Sequence, residues 1–232
     1  CGKLAAQSLF RDRADDAILL PNAIDLEKFK PFPAARRAAL REKLNLCGYT
    51  FLFVGRFAPQ KNLSFLLDAF ARLCEIIRSS ERNSSNLIPQ NKMPLLVLVG
   101  DGVMRPKLEK QAETLKIADK IRFVPPCDPL PWYQAADVFV LPSLYEGLPV
   151  VAAEAQAANL PCLFSDRIDR GADICRFAEF LPLDAELWAK RMLLPRERRS
   201  GGIRKLREGG YDIRLQAQKL QEIYDAALGR EL

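Results

Sequence analysis

TFLFVGRFAPQKNLSFLLDAFARL, residues 50–73, decides the fold. Its first five residues are a β-rich apolar run that stops at Gly55. A turn-like stretch, RFAPQKN, follows. Leu63, Leu66, Leu67, Phe70, Leu73 and then Ile77 recur at helical spacing. Strand, glycine loop and helix in this order open a βαβ unit. The pattern returns along the chain. MPLLVLVGDG (93–102) is an unbroken apolar strand that ends in glycines, and a charged helical segment runs from it to about 117. IRFVP (121–125), DVFVLPS (137–143) and PCLFS (161–165) are further apolar runs, and a short strand is predicted near 178–181. Continuous apolar strands suit a parallel sheet covered on both faces by helices. Residues 48–228 therefore read as a doubly wound α/β unit.

The remaining segments carry weaker signals. Residues 78–93, RSSERNSSNLIPQNKM, read as a long polar loop between a helix and the next strand. AELWAKRMLL predicts a helix. The basic, glycine-rich PRERRSGGIRKLREGG reads as solvated surface without the aromatic interleaving that nucleic-acid binding needs. IRLQAQKLQEIYDAAL places Ile213, Ala217, Leu220, Ile223, Tyr224 and Ala227 on one helical face. At the start, CGKLAAQSLF resembles a helix end, AILLPNAIDLEKFKP a strand leading into a turn and linker, and ARRAALREKLNL a charged helix. Residues 1–25 are expected to be the tail of another domain lying upstream, and 26–47 a linker and helix.

Composition narrows the chemistry. The net charge of +6, from 35 basic and 29 acidic residues among 232, suits an anionic partner or simply a basic surface. Histidine is absent, which removes His-based metal sites and Ser-His or Cys-His nucleophiles from this chain. The six cysteines, at 1, 47, 74, 127, 162 and 175, have no zinc-finger spacing and fit a reducing compartment. No apolar run approaches the roughly 18 residues that span a bilayer.

In an open parallel sheet, ligands sit at the carboxyl ends of the strands. Three polar features lie there. Arg56 directly follows a strand and Gly55, and Lys61 precedes the next helix. Two cations beside a helix start make a seat for a diphosphate, although two surface cations in a loop would look the same. Gly100 and Gly102 of GDG can let the backbone pass close to a ligand or can form a plain turn. They are not a dinucleotide fingerprint, because neither GxGxxG nor a Walker motif occurs. The third feature is LPSLYEGLPVVAAEA. Glu146 lies over the sheet, Gly147 and Leu148 shape the loop, and Pro149 suits the first turn of a helix. Val150 and Val151 then offer free N–H groups to an anion. Glu154, one turn further on, can accept from the vicinal hydroxyls of a ribose, or can simply stabilise the helix dipole.

PNAID (21–25), FLFVGRFAPQKNLSFLLDAFARL (51–73), LLVLVGDGVMRPKLE (95–109), ADVFVLPSLYEGLPVVAAEAQAANLPCLFSD (136–166) and GYDIRLQAQKLQEIYDAAL (210–228) together resemble the retaining glycosyltransferases of family 4. These have the GT-B fold, and the likeness is to the type that builds bacterial surface polysaccharides. The resemblance implies that 48–232 is the Rossmann-like C-terminal half of a GT-B fold, a nucleotide-sugar donor-binding domain. It implies that Arg56 and Lys61 hold the donor diphosphate, that Glu154 binds the ribose and that Glu146 faces the donor sugar. Gly55, Gly100, Leu148, Val150 and Val151 would line the donor site, and Pro126 and Cys127 would border a base, uridine by family weight. It further implies a glycan or lipid-linked acceptor held by an N-terminal domain, a cytoplasmic location, peripheral membrane association, and no metal or other cofactor.

Two departures stand out. Many relatives have Gly-Phe-Gly between the glutamates, where this chain has Gly-Leu-Pro, so Val150 and Val151 must supply any phosphate donors. The histidine and glycine-rich loop of the family's N-terminal domain are absent, so the isolated chain is expected to be inactive. A catalytically inactive nucleotide-sugar binding module is the alternative. An oxidoreductase is disfavoured by the missing GxGxxG.

Overall fold

The computed structural model describes residues 10–16, 18, 20–79, 87–88 and 93–228. The expected helix end at 1–9, and most of the polar stretch 78–93, lie outside the described residues. Six strands form one parallel sheet: β1 Thr50–Val54, β2 Leu95–Val99, β3 Ile121–Val124, β4 Val138–Leu141, β5 Cys162–Ser165 and β6 Ala178–Leu181. Their spatial order is β3-β2-β1-β4-β5-β6, the order of a Rossmann sheet. β1, β4 and β5 are buried throughout, and the outer strands β3 and β6 are partly exposed. This explains the unbroken apolar runs in the centre and the mixed IRFV and AEFL at the edges.

The helices are α1 Ala34–Lys43, α2 Leu63–Ser79, α3 Arg105–Thr114, α4 Leu130–Ala135, α5 Val150–Ala157, α6 Ala185–Met192, α7 Gly202–Glu208 and α8 Ile213–Ala227. α2 packs with α3 and α6, while α1 packs with α4 and α5 with α7, as expected when right-handed crossovers cover both faces. The apolar stripe of α2 is buried along its length, from Leu63 to Ile77. Trp188 of α6 is fully buried, edge-on to Phe65 at 5.5 Å.

Two segments differ from their sequence reading, and a third shows what its pattern leaves open. The expected linker 26–47 contributes Leu26, Phe29 and Leu46 to the same core as the sheet. α1 has no buried residue, yet Arg37 and Arg41 both pair with Asp137, at 2.6 and 3.0 Å. The basic run after 195 is not simply solvated. Arg196 pairs with Glu179 at 2.8 Å, and Arg198 donates to the carbonyls of Tyr133, Gln134, Ala136 and Ala158. A guanidinium can satisfy several carbonyls at a helix C-terminus at once, and a charge run cannot reveal that. Finally, the apolar face of α8 buries none of its residues: Ile213, Leu220 and Tyr224 are all exposed. Amphipathic spacing shows that an apolar face exists, not what covers it. α8 begins where Ile24 bridges Asp212, so the chain enters and leaves the sheet unit at one place. No helix among the described residues is long and apolar enough to cross a membrane.

Candidate functional site

The strand order reverses between β1 and β4, whose register is paired only over Phe51↔Val138 and Leu52↔Phe139. β1 and β2, by contrast, pair over all five residues. A crevice at the carboxyl ends of the strands is the consequence. A cleft of about 320 Å³ opens beside it, lined by Gly55, Arg56, Gly100, Asp101, Pro126 and Cys127 among others. Five residues singled out from the sequence, Gly55, Arg56, Gly100, Pro126 and Cys127, thus share one cleft. The Arg56 side chain is exposed and makes no hydrogen bond or ion pair among the described residues.

The glycines of GDG also meet a demand from within the protein. Gly100 has φ +142°, and a Cβ there would lie 2.0 Å from the Gly55 carbonyl oxygen. A Cβ on Gly102 would lie 2.6 Å from the Phe57 carbonyl oxygen. Phe57 N–H donates to Asp101 O at 2.8 Å, and Met104 N–H donates to Phe57 O at 3.0 Å. The glycines let the β2 loop lie directly on the β1 loop, which sets where Arg56 stands.

Lys61 and Glu146 meet as an ion pair, with side chains only 16% and 9% exposed. Ser143 Oγ donates to Glu146 Oε1 at 2.7 Å, and Gln60 Nε2 reaches Glu146 Oε2 at 3.5 Å and Tyr145 O at 2.7 Å. Leu144 N–H donates to Gln60 O at 2.8 Å. The loops after β1 and β4 are therefore clipped together, and Glu146 is held on both oxygens. The Lys61 side chain also passes within 3.9 Å of where a Cβ on Gly55 would sit, which joins this pair to the Arg56 cleft.

α5 begins at Val150. Pro149 stands one place earlier than its sequence reading, as an extended N-cap residue with φ −70° and ψ 121°. The helix bonds begin with Ala152 N–H donating to Pro149 O, so the Val150 and Val151 N–H groups are left without an intrahelical acceptor. Leu148 is half-buried ahead of them. Glu154, half-buried in the middle of α5, accepts a hydrogen bond from Tyr133 Oη at 2.9 Å. Burial pushes the Glu154 carboxyl up, while the Tyr133 hydroxyl and the Lys28 ammonium partly oppose that rise. Lys28 itself pairs with Asp128 at 3.1 Å.

Sequence reasoning missed Gln60, Ser143, Tyr133, Lys28 and Asp128. Ser143 had a local signal, its position three before Glu146. Lys28 and Tyr133 had none, because their link to Glu154 exists only once the sheet is assembled. Among the described residues, no group of three or more Cys, Asp or Glu side chains could hold a metal ion.

Comparisons with known proteins bear on the family and the fold. A family model described as Glycosyl transferases group 1 matches residues 37–179. The UDP-Gal:alpha-D-GlcNAc-diphosphoundecaprenol alpha-1,3-galactosyltransferase of Escherichia coli is 35% identical over 153 residues, covering 64% of this chain and 36% of its own. The putative glycosyltransferase EpsF of Bacillus subtilis (strain 168) is 32% identical over 252 residues, covering 100% of this chain and 60% of its own. The chain thus spans less than two thirds of either relative. A glycosyltransferase from Rickettsia africae ESF-5 has the same fold, with TM-score 0.71 and 14% identity over 99% of this chain and 62% of its own.

Proposed function

The chain belongs to the Glycosyl transferases group 1 family, and from that premise we propose that it is the donor-binding part of a retaining glycosyltransferase that uses a UDP-sugar. The observation that carries this reading is the convergence, on one end of the sheet, of Arg56, the Lys61–Glu146 pair and the start of α5; among the described residues the Arg56 side chain and the Val150 and Val151 N–H groups have no partner. Arg56, Lys61 and the Val150 and Val151 N–H groups suit a diphosphate. They would stabilise its negative charge as the sugar leaves, without a metal. Glu146, fixed by Ser143 and Lys61, suits a hydroxyl of the donor sugar near the reacting carbon. Glu154 suits the ribose diol, and the backbone at Pro126 and Cys127 the base. The UDP-Gal named for the Escherichia coli relative supports uridine.

The acceptor, a glycan or lipid-linked sugar, would be held by a further domain and met at the cytoplasmic face of a membrane. The free cysteines Cys47, Cys74, Cys127, Cys162 and Cys175 accord with a reducing compartment. The chain alone would then bind donor without transferring it, since half a cleft cannot align donor and acceptor.

Calorimetry of the 232-residue chain against UDP, ADP and GDP, with and without a chelator, tests the reading. UDP should bind most tightly and equally well in both conditions. A preference for ADP or GDP overturns the assignment of the base, and loss of binding in chelator overturns the metal-free diphosphate seat.

A further inference from the structure

Glu154 could meet a ribose only if something holds its carboxylate in place, and the structure shows what does. Tyr133 is fully buried, with its ring edge-on to Phe29 at 5.9 Å and tilted against Phe139 at 5.8 Å. Its carbonyl is gripped by Arg198 at 2.8 Å. A buried ring packed against two others and held by its own backbone leaves the phenol little freedom. Its hydroxyl lies 2.9 Å from Glu154 Oε2, while the Val151 carbonyl, the other acceptor in reach, is at 3.4 Å. Glu154 Oε1 accepts no hydrogen bond among the described residues.

We propose that Tyr133 is a positioning residue for ribose recognition, its hydroxyl holding Glu154 Oε2 so that Oε1 stays available to the ribose diol. The proposal rests on the reading of Glu154 as the ribose ligand and extends it to a core residue that touches no substrate. The groups facing the Glu154 carboxylate are Tyr133, which favours its ionised form by hydrogen bonding, Lys28, which favours it by charge, and Asp128, which opposes it. Removing the phenol oxygen therefore has two effects. The carboxylate loses its fixed orientation, and it holds its proton to higher pH.

The test is calorimetry of UDP and 2′-deoxy-UDP from acid to neutral pH. Comparing the two nucleotides cancels the titration of their phosphates. The wild-type chain should prefer UDP, with the preference fading in acid as Glu154 takes up a proton. Tyr133→Phe keeps the ring in place. It should weaken UDP about tenfold and 2′-deoxy-UDP, which keeps only the 3′-hydroxyl, by less. The remaining preference should set in at higher pH than in the wild type. Glu154→Gln should remove the pH dependence of the preference, and adding Tyr133→Phe to it should cost nothing further. Replacing tyrosine by 3-fluorotyrosine, nearly isosteric and a stronger donor, should move the onset to lower pH. A wild-type preference that survives Tyr133→Phe with the same onset overturns the proposal alone. So does an unchanged onset in the fluorotyrosine protein, even if the phenylalanine variant does not fold. A wild type indifferent to the 2′-hydroxyl overturns the proposal together with the ribose reading.

Discussion

The two glutamates differ in how fully the protein occupies them. Glu146 is held on both oxygens by Lys61, Ser143 and Gln60. Glu146→Gln should therefore leave UDP binding unchanged, or tighten it by about threefold as Lys61 is freed for the diphosphate. In the complete enzyme its cost should appear in turnover, a loss of about 100-fold. Lys61→Ala should weaken UDP about tenfold and uridine hardly at all, and equal losses would make Lys61 structural. Glu154 presents the opposite case. Burial raises its carboxyl above the ordinary 4.5. The folded state thus prefers the protonated acid, and this stabilising contribution is complete below the unfolded value and lost as pH rises through the folded one. Glu154→Gln avoids that loss. Its melting temperature should exceed the wild type's by roughly 2 °C at neutral pH, a gap that closes in acid, even though the variant binds UDP less well. Thermal melts at both pH values check this. Both glutamates were visible as candidates from their spacing around Gly-Leu-Pro. What restrains each was not: Tyr133 lies 21 residues from Glu154, and Gln60 86 residues from Glu146. A contact between loops of different strands leaves no trace in either segment.

At the scale of elements, strands were the easiest part to read. A run buried on both faces must be apolar at every position, so TFLFV and LLVLV announce themselves. The glycines were harder, because close approach to a ligand and close approach to a neighbouring loop demand the same residue. At Gly100 the structure shows the approach to a neighbouring loop, and stability measurements would weigh it. Gly100→Ala drives a methyl into the Gly55 carbonyl and should cost about 2–4 kcal/mol. Gly147→Ala meets nothing within 4 Å and should leave urea unfolding within about 0.5 kcal/mol of wild type. Asp137 accepts from Arg37, Arg41 and the Thr50 N–H, tying α1 to the sheet. Asp137→Ala removes the carboxylate that two guanidinium groups and the Thr50 N–H share, and should cost about 3 kcal/mol. The arginines were visible as a charged helix, but their partner was hidden in ADVFV, where it reads as a strand boundary.

For the whole molecule, the fold class and sheet were legible because each βαβ unit repeats the same local pattern. The place of α8 was not, since its apolar face lies open in this chain. Replacing Leu220 by Lys should accordingly leave the melting temperature within about 2 °C of wild type. The strand order also has a consequence in time. β1 lies at the centre of the sheet, but its neighbour β4 is made after β2 and β3. As a ribosome adds roughly 5–20 residues per second, the half-sheet through Val124 emerges about 1–3 s before Leu141 of β4. For that interval a strand that ends up buried throughout has one bare edge, in a nascent chain surrounded by others like it. Slower translation between residues 124 and 141 would lengthen the exposure, so codon choice there should govern yield of soluble protein more than it does beyond β4.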